Sequence, residues 1–197
     1  MATIEAEALD RADMARLREG QDAALNDLMN RHATAIFQFL YRMVGTAEDA
    51  NDLAQEAFVR VYRHRDRFRP DSSFSTWVFT IAANLARNQL RWRARHPTVP
   101  LDATASGSTQ TYGDLLPSGD QAPDDELLLE ERRAAVRAAV AELPGDLREA
   151  LLLFEFEDRS MTEAATILGT TQKGIESRLY RARGQLRERL KRWLAGK

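Results

Sequence analysis

The chain has 197 residues, with 28 Lys and Arg against 30 Asp and Glu, three His and no Cys. The absence of thiols excludes disulfides, thiolate metal sites and thiol redox sensing. Neither a long apolar run nor a signal-peptide pattern occurs, which predicts a cytoplasmic protein without membrane insertion. The net charge of −2 conceals a segregated distribution. Residues 60–95 hold nine Arg against Asp66 and Asp71, and residues 171–197 hold nine Lys or Arg against Glu176 and Glu188. Residues 97–126 hold six acids and no base, so two cationic regions flank an anionic one. Local field governs nucleic-acid binding more than total charge does.

The first twenty residues are polar and Ala-rich, and a weak helical pattern around Met14 and Leu17 predicts partial order. From Leu25 the positions Leu28, Met29, Ile36, Phe37, Leu40 and Tyr41 follow three-and-four spacing up to Gly45, which predicts a core helix with a glycine stop. Thr46-Ala47-Glu48-Asp49 has the form of a capping box opening a helix that buries Ala50, Leu53, Ala54, Ala57, Phe58, Val61 and Tyr62. Asp52, Gln55, Glu56 and Val59 fall at i, i+3, i+4 and i+7 on its other side. The acids early and Arg60 and Arg63 late also suit the helix dipole.

Arg69-Pro70-Asp71 predicts a turn, with Asp71 capping a helix that runs to Arg95. Phe74, Val78, Ile81, Ala82, Leu85 and Trp92 share one side of it, whereas Asn84, Arg87, Asn88, Arg91 and Arg95 share another. Arg neutralises phosphates and carboxamides hydrogen-bond base edges, so this stripe suits nucleic acid. Trp77 lies at the seam, where it serves either the core or a base.

Pro, Gly, Ser and Thr dominate from His96 to Pro123, which predicts a flexible acidic linker able to span on the order of 90 Å. A helix near Asp124 presents Leu127, Val136, Ala139, Val140 and Leu143 before Pro144-Gly145. The next, from Asp146 to Glu157, buries Leu147, Ala150, Leu151 and Phe154. Ser160-Met161-Thr162-Glu163 is a capping box for a short helix ending at Gly169. The last helix buries Ile175, Leu179, Ala182, Leu186, Leu190 and Leu194, and carries Lys173, Glu176, Ser177, Arg178, Arg181 and Arg183 elsewhere. A short helix, a Gly turn and a cationic helix predict a helix-turn-helix. The whole is predicted all-α, as two small helical domains, 1–96 and 124–197, joined by the linker 97–123.

No phosphate-cradling Gly loop, dinucleotide Gly pattern or nucleophile elbow occurs, and His32, His64 and His96 have no metal-ligand spacing. No enzyme, catalytic residue, cofactor or metal is expected.

Two segments together resemble the extracytoplasmic-function sigma factors of bacterial RNA polymerase, within the sigma-70 superfamily. D-A-N-D-L-A-Q-E-A-F-V-R-V-Y-R (49–63) with F-S-T-W-V-F-T-I-A-A-N-L-A-R-N (74–88) looks like that family's promoter-melting domain. L-P-G-D-L-R-E-A-L-L-L (143–153), T-E-A-A-T-I-L-G (162–169) and I-E-S-R-L-Y-R-A-R-G-Q-L-R (175–187) look like its helix-turn-helix domain. The resemblance implies that Asp52, Gln55, Glu56 and Val59 bind core polymerase at the β′ clamp helices. It implies that Phe74, Trp77 and Asn84, with the loop 69–73 and with Arg87, Asn88 and Arg91, meet the melted −10 element. Lys173, Glu176, Ser177, Arg178 and Arg181 then meet the double-stranded −35 element. The linker resembles the segment that threads polymerase past its β subunit toward the RNA exit channel, and control by a separate anti-sigma factor is implied. Glu176 stands where the family commonly has Lys, Gly174 where it has Thr, and Thr170 where an apolar residue is usual. The competing reading is a free-standing helix-turn-helix repressor or activator, which would bind operator DNA without polymerase.

Overall fold

The computed structural model describes residues 2–96 and 123–195, with side chains over 5–96 and 130–191. Among these residues every regular element is helical, and the backbone separates into two compact units. The first holds α1 (Ala2–Arg18), α2 (Ala23–Val44), α3 (Ala47–Arg63), a 3-10 turn (Arg65–Arg67) and α4 (Phe74–Arg95). The acidic linker lies outside the described residues except for Pro123, which begins the next helix.

α1 is a full helix, not the partly ordered segment its weak periodicity predicts. Met14 and Leu17 are wholly buried against the unit, and Asp10 and Asp13 are buried with them. Arg31 of α2 donates to Asp10 at 2.9 Å and to Asp13 at 2.5 Å, and His32 Nε2 lies 2.8 Å from Asp10. Burial opposes ionisation of Asp10, but hydrogen bonds and charge from His32 and Arg31 outweigh it and hold the carboxyl below its ordinary value.

α2 ends as predicted. Gly45 adopts φ 86°, a left-handed conformation that costs glycine least, and its N–H bonds the Tyr41 carbonyl at 2.9 Å. Because α2 packs against α1, α3 and α4, it buries a wider arc than one stripe, including Phe39 and Met43. Tyr41, expected in the core, is 42% exposed with its ring stacked 6.1 Å from Phe37. The Thr46 capping box does not form. Thr46 instead donates its hydroxyl to the Asp49 carboxylate, which also takes a hydrogen bond from Gln89 at 2.8 Å and an ion pair with Arg93.

α4 sits at the centre, against α1, α2 and α3. It begins at Phe74 with Ser73, not Asp71, in the capping position, and no side chain caps it. Phe74, Val78, Phe79, Ala82, Ala83, Leu85 and Ala86 are buried. Trp92, expected among them, is 49% exposed and stacks on His96. Its neighbour Arg93 is the residue that turns inward, donating to the Val44 carbonyl at 2.8 Å and pairing with Asp49. One residue is about 100° of helix, so turning the half-buried Arg93 to the α2–α3 turn leaves Trp92 on the outer side.

The second unit holds α5 (Pro123–Ala141), α6 (Gly145–Leu151), α7 (Met161–Leu168) and α8 (Gln172–Ala195). Arg148 reaches back to the carbonyls of Ala141 and Leu143 and so satisfies the end of α5, where burial pushes its pKa down. Val136, expected to pack, is 39% exposed. α6 continues into a π turn, Leu152–Phe156, in which the Glu157 N–H bonds the Leu152 carbonyl at 3.1 Å. The wider turn shifts the buried side: Leu152 and Leu153 are buried, while Phe154 is half-buried under the Arg183 guanidinium.

Candidate functional site

The α7–α8 pair is fixed at each joint by the chemistry its sequence predicts. The Ser160 N–H donates to Glu163 at 2.9 Å and the Glu163 N–H to the Ser160 hydroxyl at 3.2 Å, a reciprocal capping box. Gly169, at φ +61°, donates to the Thr166 carbonyl and Thr170 to the Ala165 carbonyl, the two bonds of a Schellman turn. Thr171 then opens α8 by accepting the Gly174 N–H at 3.1 Å. A Cβ at 174 would lie 2.5 Å from the Thr170 hydroxyl, so a side chain there requires that hydroxyl to shift.

Ile175, Leu179 and Ala182 fasten α8 inward, and Lys173, Glu176, Ser177 and Arg181 are exposed on its other side. Arg178 departs from the expectation. Its side chain is only 23% exposed and lies 3.9 Å from the buried Glu149 of α6, because its position between Ile175 and Leu179 faces that helix. Tyr180, not among the expected site residues, is 82% exposed, one turn from Glu176 and Ser177. An aromatic placed between two buried apolar positions looks like core until the phase of the helix is known. No ion pair joins Glu176 to Lys173 among the described residues.

In the first unit the α3 stripe is exposed as predicted. Asp52, Gln55 and Val59 are exposed, and Glu56 is half-exposed with an ion pair to Arg60 at 2.7 Å. Beyond α3, the 3-10 turn carries Phe68 inward. Phe68, Phe74 and Trp77 form an aromatic cluster, with Trp77 5.4 Å from Phe68 and 6.2 Å from Phe74, and His32 sits 5.0 Å from Phe74 on the far side. Phe74 is only 1% exposed and packs edge-on against Trp77, which is half-buried. The loop before α4 is held by Ser72, whose N–H and hydroxyl both bond the Arg69 carbonyl, at 3.0 and 2.7 Å.

Asn84, Asn88 and Arg91 are exposed along α4 and Arg87 is half-exposed. Arg87 donates to the Asn84 side-chain oxygen at 2.7 Å, and Arg91 to that of Asn88 at 2.5 Å. Beside them lies a groove of about 520 Å³ between α3 and α4, floored by Leu53 and Leu85 and edged by Arg60, Asn88, Trp92 and Arg95. Among the described residues no His, Asp or Glu group is arranged to hold a metal, and no helix is long and apolar enough to cross a membrane.

The first unit thus carries an acidic helix face and a cationic, amide-bearing face, and the second carries a helix-turn-helix. The sigma-70 region 2 family model matches residues 28–96, and the sigma-70 region 4 family model matches residues 133–186. The RNA polymerase sigma-H factor of Pseudomonas aeruginosa is 37% identical over 85% of this chain and 86% of its own length. The ECF RNA polymerase sigma factor SigW of Bacillus subtilis is 30% identical over 89% of this chain and 94% of its own. Among solved structures, CnrH in complex with the cytosolic domain of CnrY aligns with a TM-score of 0.67 at 26% identity, over 93% of this chain and 97% of that one. RpoE of Bartonella quintana in complex with the anti-sigma factor NepR aligns at 0.63 and 26% identity, over 84% and 96%. The chain belongs to the sigma-70 family, in its extracytoplasmic-function branch. It is an alternative sigma factor, a protein of transcription initiation.

Proposed function

We propose a division of labour in which residues 1–96 dock on core RNA polymerase and open the −10 element, residues 97–123 join the two parts, and residues 124–197 read the −35 element. The observation that carries it is the presence of an acidic and a cationic stripe on one helical unit: Asp52, Gln55, Glu56 and Val59 on α3, and Asn84, Arg87, Asn88 and Arg91 on α4. An acidic face with one apolar residue suits a cationic protein helix, here the β′ clamp helices, and electrostatic complementarity steers such docking. The α4 face suits DNA, with guanidinium for phosphates and carboxamides for bases. Trp77, backed by Phe68 and Phe74, supplies a stacking surface for a base leaving the duplex. The factor acts without catalytic residues of its own, in the cytoplasm, and under an anti-sigma partner of the kind bound by RpoE of Bartonella quintana. A gel shift with and without core enzyme tests this reading. Promoter DNA should shift specifically only when core enzyme is present, whereas tight shifting by the factor alone would favour a repressor.

On α8 the exposed set Lys173, Glu176, Ser177, Tyr180 and Arg181 faces the −35 major groove, and Arg178 holds the helix against Glu149. A carboxylate at this surface is repelled by phosphates, so its presence calls for a compensating contact. A cytosine amino group supplies one. Glu176→Ala should then lose ~1–3 kcal/mol of discrimination at one −35 base pair. Binding measured over all single-base variants of the element checks this, and an unchanged profile with slightly higher affinity throughout would contradict it.

A further inference from the structure

Asn84 and Asn88 are not two independent carboxamides. Each is followed three residues later by an arginine whose guanidinium donates to the amide oxygen, Arg87 to Asn84 at 2.7 Å and Arg91 to Asn88 at 2.5 Å. Arg has five N–H donors and no acceptor. Turning either amide over would set its NH₂ against a cationic donor, so the guanidinium fixes which end of the amide faces it. Arg87 is itself tethered to the helix, its Nε donating to the Ala83 carbonyl at 3.3 Å.

An unconstrained carboxamide offers one acceptor and two donors, and it pairs with adenine by accepting from N6 and donating to N7. The guanidinium takes one of the oxygen's two lone pairs and polarises the amide, so the oxygen accepts more weakly and the NH₂ donates more strongly. The exocyclic group that separates the bases is an oxygen in guanine and thymine and an amino group in adenine and cytosine. An amide biased toward donation bonds the oxygen and gains less from the amino group.

We propose that the Asn84–Arg87 and Asn88–Arg91 couples make this face of α4 a reader of keto groups, selecting guanine or thymine over adenine or cytosine at the −10 positions it meets. This rests on the reading that the face meets −10 bases. Within it, Asn84 and Asn88 make the contact, and Arg87 and Arg91 are positioning residues that set its polarity, apart from any phosphate they neutralise.

The test measures equilibrium binding of the complete factor, assembled with core polymerase, to promoter DNA carrying every single-base change of the −10 element. Wild type, Asn84→Ala, Asn84→Asp and Arg87→Ala are compared, with circular dichroism confirming that each is folded. The position whose preference is lost in Asn84→Ala should carry guanine or thymine in wild type, favoured about fivefold or more over adenine and cytosine. Arg87→Ala, which releases the amide oxygen, should raise the relative affinity for adenine at that same position, a change that loss of a phosphate contact does not produce. Asn84→Asp, which removes the donors, should lose the keto preference there. A wild-type preference for adenine or cytosine at that position overturns the proposal, as does an Arg87→Ala profile lowered equally for every base. If Asn84→Ala leaves every position unchanged, base reading by Asn84 fails as well, and the keto assignment at that residue falls with it.

Discussion

Reversing Asp52 and Glu56 to Arg together should abolish binding to core polymerase while leaving the first helical unit folded. Both side chains lie on the outward face of α3, opposite the buried Ala50, Ala57, Phe58 and Val61, so neither supports the core. Among the described residues the one ion pair lost is that between Glu56 and Arg60 at 2.7 Å, whose side chains are 39% and 40% exposed. A helix-surface pair of that kind contributes only ~0.3–0.5 kcal/mol. At a docked interface the outcome differs in scale, because two attractions become two repulsions and like-charge juxtaposition costs several kcal/mol. Thermal unfolding should show a midpoint close to wild type, and the double variant should no longer co-elute with core enzyme. Co-elution at near wild-type affinity would exclude the stripe as the docking face.

The second large effect is on stability. Asp10→Ala should destabilise the first unit by ~2–4 kcal/mol, most of what removal of one partner from a buried ion pair costs. The carboxylate is 3% exposed and accepts from Arg31 at 2.9 Å and from His32 at 2.8 Å, so its loss strands two polar groups. The cost stays below the upper end because Arg31 is 26% exposed and keeps Asp13. The sign of the pH dependence follows from the lowered pKa of Asp10. Stabilisation is complete above the unfolded carboxylate pKa of about 3.9 and is lost as pH falls through the lower folded value. Denaturant unfolding of wild type and variant should therefore differ by a constant amount near pH 5–6, with the difference shrinking below about pH 4. Equal stabilities at pH 6 would show that the cluster does not hold α1.

The all-helical class and the two-unit plan were legible because helix stops and caps are local: Gly45, Gly169 and the Ser160 capping box each occupy the place their residues predict. What escaped was set by contacts distant in sequence. Asp49 looks like half of a capping box until Gln89 and Arg93 arrive from α4, forty and forty-four residues on, and take its carboxylate. That clasp turns Trp92 outward, contrary to its hydrophobicity. Met14 and Leu17 are too sparse to announce a helix, and α1 is ordered by a charge cluster that becomes visible only when Arg31 is beside it. At the site, the two faces were readable from residue type and spacing. The inward turn of Arg178 depends on helix phase, which periodicity fixes to no better than about one position.

The central claim is that this factor, bound to polymerase, opens promoter DNA with the α4 face. Permanganate footprinting of unpaired thymines on a cognate promoter tests it most directly, with core enzyme plus wild type, plus Trp77→Ala, and with the factor alone. Wild type with core enzyme should give strong reactivity confined to the −10 region and just downstream. The factor alone should give none, and Trp77→Ala should bind core enzyme normally yet lose most of the reactivity. Full reactivity with Trp77→Ala, or sequence-specific protection of intact duplex by the factor without polymerase, would contradict the account.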